Sequence, residues 1–320
     1  NFEYSTLMSG KNLKIDKDHT GRRIDNYLFN IYKSLPKSKI YSMIRKGEVR
    51  VNSGRIKPTY KLQLDDEIRI PPYLIDFKNK DPVLKIPPSR IQAFMASIMY
   101  QNDNFIVVNK DPELSVHSGT NNQFGVIDIA RASFPSLEVD LCHRIDKSTS
   151  GCLLISKNKI FLRHFHEELK ANQVTKKYEA ILIGVMKKDI EIESNIDIST
   201  KEHHHKVQES IDGKKAVSKF KILNKYNSFT HAEIIIRTGR MHQIRVHSAN
   251  INHPIVNDKK YGLFSLNKFI ARESSISRLA LHASTITFKD LNNKTVSFDA
   301  PKNNEFDILL SELDNLTIKS

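Results

Sequence analysis

Cysteine is scarce: Cys142 and Cys152 are the only two in 320 residues, too few for a disulfide scaffold and at no zinc-type spacing. A reducing compartment, the cytoplasm, is therefore expected. Long apolar runs are missing too. The longest candidates, such as Ile181 to Met186, are strand-sized, well short of the ~18 residues of a membrane span, so no membrane role is expected. The chain opens at Asn1 without a methionine, and residues 1–17 lack the apolar stretch and small-residue cleavage site of a secretory signal. That start reads as the boundary of an expressed fragment. The 11 glycines form no G-x-G-x-x-G, G-x-x-x-x-G-K-[ST] or G-x-S-x-G, and H-E-x-x-H and C-x-x-C are absent. Dinucleotide redox chemistry, P-loop phosphoryl transfer, serine hydrolysis and zinc proteolysis lose their usual signals.

What is present is positive charge. Lys and Arg total 50 against 36 Asp and Glu, a net +14, the footprint of a protein that meets polyphosphate. Residues 1–70 hold 15 Lys or Arg and 8 Asp or Glu, so half of the excess lies in under a quarter of the chain. Length suggests about two domains. With 39% hydrophobic residues the chain has enough apolar material for a core.

Ile24, Tyr27, Leu28, Ile31, Tyr32 and Leu35 fall at helical spacing, with Thr20 as N-cap and Pro36 as the stop. Ser38 opens a second helix with Ile40, Met43 and Ile44 on one face and Lys39, Arg45 and Lys46 on the other, closed by Gly47. Val49 to Val51, the turn Asn52-Ser53-Gly54 and the strand Glu67 to Ile70 complete a helix-helix-hairpin unit. Five prolines (Pro71, Pro72, Pro82, Pro87, Pro88) mark an extended stretch. The division expected is 1–72, a linker 73–92, and 93–320. Beyond the linker, strands are expected at Phe105 to Val108, Gly151 to Ser156, Lys177 to Ile183, Lys219 to Leu223, Thr230 to Ile236, Thr285 to Phe288 and Thr295 to Phe298. Helices are expected near Gly125 to Ala132, Lys157 to Ala171 and Glu305 to Leu316. The class is α+β, a mixed but mainly antiparallel sheet with packed helices.

Three constellations carry chemistry. In Cys142-His143-Arg144-Ile145-Asp146-Lys147-Ser148-Thr149-Ser150-Gly151, one carboxylate stands between cations directly before an apolar strand, where positive charge favours its ionised form. Such a carboxylate can act as a nucleophile; it fits a structural salt bridge equally well. In Arg237-Thr238-Gly239-Arg240-Met241-His242-Gln243-Ile244-Arg245, a turn leads into a helix near Met241 whose basic start calls for an anion. In Lys176-Lys177-Tyr178, a ring beside lysines suits base stacking. His203-His204-His205, flanked by lysines, reads as a solvated loop rather than a metal site.

The run from Arg22 through Ile44 to Val49, Val51-Asn52 and Asp66-Glu67-Ile68 resembles the RNA-binding domain named after ribosomal protein S4. The candidates for phosphate contact there are Arg23, Lys39, Arg45, Lys46, Arg50 and Arg55. The segments His143 to Leu154, Lys177-Tyr178, Gly239 to His247, His253 to Gly262 and Leu281-His282-Ala283 resemble, in order and spacing, the RluA-type family of pseudouridine synthases, closest to its RluC-like large-subunit ribosomal RNA members. The resemblance implies the pseudouridine synthase fold, with Asp146 as catalytic carboxylate, Tyr178 packing on the target uracil and Arg245 as salt-bridge partner of Asp146. Arg144 would help to flip the base and Leu281 would form an apolar wall, with His143, Arg240 and His242 completing the substrate contacts. Lys147-Ser148 replace a common Arg-Asp pair, Ile145 replaces Leu, Lys110 to Leu114 loosens a K-P-x-G-L turn, and Asn257 stands where Gly is usual.

Isomerising a uridine to its C-glycoside needs no redox change, so no cofactor and no metal are expected. The base must leave its stack. The expected partner is ribosomal RNA or a large-subunit assembly particle, met by a monomer. A non-catalytic assembly factor of the same fold and a DNA-binding regulator are the alternatives; Asp146 argues against the first, and the lack of a dimerising segment against the second.

Overall fold

The computed structural model describes residues 11–17, 19–32, 35–74, 85–118, 124–199, 206–210 and 213–316. The chain divides into two units, Asn1–Leu84 and Lys85–Ser320.

In the first unit, β1 (Lys11–Lys14), α1 (Ile24–Ile31), α2 (Lys37–Lys46), β2 (Arg50–Val51) and β3 (Glu67–Ile70) build a helix pair and a three-stranded antiparallel sheet of order β1-β3-β2. Ile24, Leu28, Ile40, Met43, Ile44, Val49 and Ile68 form its buried core, so the spacing that predicts the helices also predicts their inner faces. The helix limits differ from expectation. Thr20 donates its hydroxyl to the Asp16 carbonyl and caps nothing, and α1 ends at Ile31 instead of running to Pro36. Ser38 lies inside α2, which starts after Pro36. β1 has no hairpin partner close in sequence, which is why its pairing with β3 escapes a local reading.

The second unit comprises α3 (Pro88–Ala96), β4 (Ile98–Gln101), β5 (Phe105–Lys110), α4 (Val126–Ser133), β6 (Asp140–Leu141), β7 (Ser150–Ser156), α5 (Lys159–Lys170), β8 (Thr175–Ile183), β9 (Ile190–Ser199), β10 (Lys206–Glu209), β11 (Lys214–Lys225), β12 (Phe229–Ile236), α6 (Gln243–Asn250), α7 (Phe264–Ser274), β13 (Leu281–Lys289), β14 (Thr295–Asp299) and α8 (Asn304–Glu312). Its strands form one sheet with the path β10-β9-β11-β12-β8-β13-β7-β5-β4, β14 pairing with β13 and β6 with β7. Every pairing is antiparallel except β13 with β7. This is the mixed, mainly antiparallel sheet that the α+β reading predicts. Helix α3 begins inside the stretch expected as linker, because Pro88 sits in its first turn, where a missing N–H costs nothing.

The central strands β8, β13 and β7 place three parts of the site side by side. β7 is buried along its whole length. Gly151 lies at φ +107, and a Cβ there would come within 2.2 Å of the Ala283 carbonyl oxygen, so the strand that follows the Asp146 loop can press against β13 only with glycine at that point. Both cysteines are buried free thiols.

Candidate active site

Asp146 sits in the loop before β7, tied from below. Lys110, at the end of β5, is 2% exposed and donates to the carbonyls of Asp111, Leu114 and Lys147 at 2.7, 2.9 and 3.0 Å. Burial pushes its ammonium down to about 7, yet three acceptors match the three hydrogens of the charged form. We therefore take Lys110 as charged, a clamp on the residue beside Asp146. The departures in the neighbouring turns keep the backbone that glycine would favour: Glu113 lies at φ 62 and Asn257 at φ 61.

Arg245, on α6, joins two carboxylates. Its Nη1 donates to Asp146 Oδ2 at 3.2 Å, while Nε and Nη2 form a fork on Asp258 at 2.8 Å each. Asp258 is 1% exposed and also accepts the Lys260 and Tyr261 backbone N–H groups. Burial opposes both charges. Even so, Asp258, then Asp146, raise the Arg245 guanidinium, and Arg245 holds Asp258 below the usual carboxylate range. A fork of this kind fixes the guanidinium plane as well as its charge.

His242 Nε2 lies 3.8 Å from Asp146 Oδ2, and Nδ1 meets the Tyr261 hydroxyl at 2.8 Å. Burial pushes this histidine down to about 4, so it is neutral at pH 7. The expectation of a cationic His242 answering a phosphate is corrected. His143, expected among the substrate contacts, accepts the Leu154 N–H on Nε2 at 3.1 Å, and burial, then the charge of Lys176, push it down to about 3. It is a neutral strut between the Asp146 loop and β7.

Tyr178 and Leu281 are 6% and 3% exposed. With Ile145, Ile236 and Ile244 they wall an open cleft of about 500 Å³ that also takes in Arg144, Asp146, Lys176, Arg240, His242 and Arg245. Burial raises the Tyr178 phenol above its ordinary value, which keeps its proton in place near neutrality. Arg144 and Arg240 are exposed at the rim. Helix α6 starts at Gln243, two residues later than expected, because the Gln243 side chain accepts from Thr238 Oγ1 and the Arg240 N–H and pins the turn. Among the described residues no three His, Cys, Asp or Glu side chains gather as a metal site; His203 to His205 lie outside them.

The first unit uses part of its charge on itself. Arg23 holds the buried Asp25 at 3.1 and 2.6 Å, Arg50 donates to the Gly47 carbonyl, and the Arg55 side chain lies over Gly47. Lys39 sits over the Tyr73 ring at 5.5 Å. Arg45 and Lys46 are exposed in the last turn of α2. Asp258, Tyr261 and Lys110 are site residues to which a local reading of the sequence gave no role, and Lys176 entered it only as a neighbour of Tyr178. The D-x-x-Y spacing of Asp258 and Tyr261 was the available signal for the first two.

The sequence profile of the RNA pseudouridylate synthase family matches residues 104–250, and that of the S4 domain matches residues 22–68. The Ribosomal large subunit pseudouridine synthase C of Haemophilus influenzae is 40% identical over 311 residues, 95% of each chain. This chain belongs to the RNA pseudouridylate synthase family. The protein of the same name from Buchnera aphidicola subsp. Baizongia pistaciae is 37% identical and covers 94% of this chain and 96% of its own. Among solved structures, Human RNA Pseudouridylate Synthase Domain Containing 4 aligns with a TM-score of 0.58 at 25% identity, over 70% of this chain and 95% of that one. A pseudouridylate synthase is an isomerase, and the cleft has the polar and apolar halves such a reaction needs. No helix among the described residues is long and apolar enough to cross a membrane.

Proposed function

We propose that this synthase isomerises uridines of large-subunit ribosomal RNA, with Asp146 as the carboxylate that engages the flipped nucleotide. The Arg245 bridge carries the assignment: it holds Asp146 Oδ2, while Oδ1 has no hydrogen-bond partner among the described residues and is left for the substrate. A base inside a stack must first be extruded, and in this reading exposed Arg144 fills the gap. The uracil then lies against Tyr178 and Leu281. The N1–C1′ bond breaks, the uracil turns, and C5 joins C1′; C5 gives up one hydrogen and N1 gains one, so the formula is unchanged. In this reading residues 1–72 act as the RNA-holding domain, 73–92 as connection and 93–320 as the catalytic domain of a cytoplasmic monomer.

Replacing Asp146 with Asn keeps the shape and removes the charge. Single-turnover isomerisation is expected to fall by about 10² to 10⁴ or more, with RNA affinity within about threefold because binding rests mainly on cations. Turnover near that of the unsubstituted enzyme, in a folded Asp146→Asn protein, would overturn the assignment. Mapping pseudouridine in ribosomal RNA from cells lacking the protein tests the substrate.

A further inference from the structure

Three Lys or Arg residues of the described chain are almost fully buried: Lys110, Lys176 and Arg278. Lys110 has its three carbonyls. Arg278 donates to Ser150 Oγ, Asn303 Oδ1 and the carbonyls of Leu279 and Leu281. Lys176 is 6% exposed, and its ammonium has no hydrogen bond or ion pair among the described residues. The side chain lines an open cleft and an adjoining groove, and its burial, then the charge of Arg240, push the ammonium down to about 8.

Its position says what would answer it. Lys176 lies two residues before Tyr178 on β8, hence on the same face of the strand. It lines the catalytic cleft and also an adjoining groove of about 1050 Å³, whose walls carry Arg144, Lys170, Arg237 and Arg240. The ammonium rests against the 238–242 turn, where a Cβ on Gly239 would come within 2.9 Å of Nζ. Around it stand Arg144 and neutral His143 from the loop before β7, Lys170 from the end of α5, Arg237 after β12, and Arg240 and neutral His242 from the turn before α6. The acid of the shared cleft, Asp146, is held by Arg245. The groove lining contains no acid.

We propose that Lys176 binds a backbone phosphodiester of the RNA where the strand passes from the groove into the cleft, fixing the flipped nucleotide next to Tyr178. This rests on the reading that a uridine of RNA enters the cleft. A phosphate there supplies the missing counter-charge and draws a proton onto Lys176 if it arrives deprotonated. Affinity is therefore full below the lysine's own pKa and declines as pH rises through about 8.

The test uses single-turnover kinetics on an unmodified transcript of large-subunit ribosomal RNA, giving the half-saturating enzyme concentration and the saturated rate over about pH 6.5 to 9.5, a range that brackets the lysine's titration. Lys176→Met is expected to raise the half-saturating concentration about 10-fold or more at pH 7, to remove its pH step and to lower the salt slope by about 0.7 to 0.9. Lys176→Arg is expected to restore affinity without a pH step, because a guanidinium does not deprotonate in this range. An unchanged half-saturating concentration in Lys176→Met, or a loss confined to the saturated rate, overturns the proposal. Should Lys176→Met fail to fold, Lys176→Gln takes its place, and an unchanged half-saturating concentration there overturns the proposal equally. If the unsubstituted enzyme does not turn over this RNA, the function above fails, and filter-binding affinity of the same proteins over the same pH range still decides the lysine.

Discussion

The cations of the first unit and those of the cleft differ in what surrounds them. Arg45 and Lys46 stand exposed on a helix end, able to meet any phosphate that comes near. Arg245 is 11% exposed at its side chain and committed to two named carboxylates. Loose cations supply affinity that salt screens; a desolvated and forked one supplies position. Both contribute to the same excess of charge in the composition, and burial is what separates their work.

The sharpest way to break this comparison is Arg245→Ala. Two carboxylates then share a desolvated space without a counter-ion, and a loss of about 3 to 5 kcal/mol in stability is expected, with turnover falling far more than RNA affinity. Asp258 gives the pH signature. Its folded pKa is depressed, so its stabilisation is present above the unfolded carboxyl value and fades only as pH falls through the lower folded value. Arg245→Ala should bring acid unfolding to a higher pH. Arg245→Lys should be milder, since a point charge replaces the attraction but not the fork. Loss of affinity alone, with the saturated rate kept, would make Arg245 a phosphate clamp.

His242 offers a middle-sized test. Its pKa of about 4 lies below that of an unfolded histidine, so the unfolded chain binds the proton first. Stability is expected to fall as pH drops from about 6.5 and to level near 4, and the ring should titrate near 4 in an NMR pH series. A ring titrating near 6.5 would return His242 to the cations.

The smallest effect belongs to the exposed pair. Arg45→Ala with Lys46→Ala should weaken RNA binding a few fold and lower the salt slope by about 0.7 to 0.9 per lost phosphate contact, leaving the saturated rate unchanged. Arg23→Ala should instead lower the melting temperature of the first unit, because it strips buried Asp25 of its partner. A large change in saturated rate from the exposed pair would remove the distinction drawn here.

Much of this was legible in the chain itself. Helical periodicity located α1 and α2, because a half-buried helix writes its inner face into neighbouring residues, and short apolar runs located β5, β7, β8 and β12, because a strand buried on both faces is apolar throughout. The Asp146 loop, Tyr178 and the start of α6 were readable as short motifs. What lay beyond a local reading were β1 and β10, four-residue strands whose partners come from elsewhere in the chain; β9 was legible, since Ile190, Ile192, Ile196 and Ile198 alternate with polar residues, yet it is missing from the expected strands. Tertiary structure alone decided which charges are used. Arg245 meets Asp146 99 positions away, Lys110 reaches Lys147 across 37, and His143 and His242 lose their charge only because the fold buries them. Residue type sets what a side chain can do, but desolvation and long-range neighbours set which protonation state and which partner it has, and those exist only once the chain has closed around them.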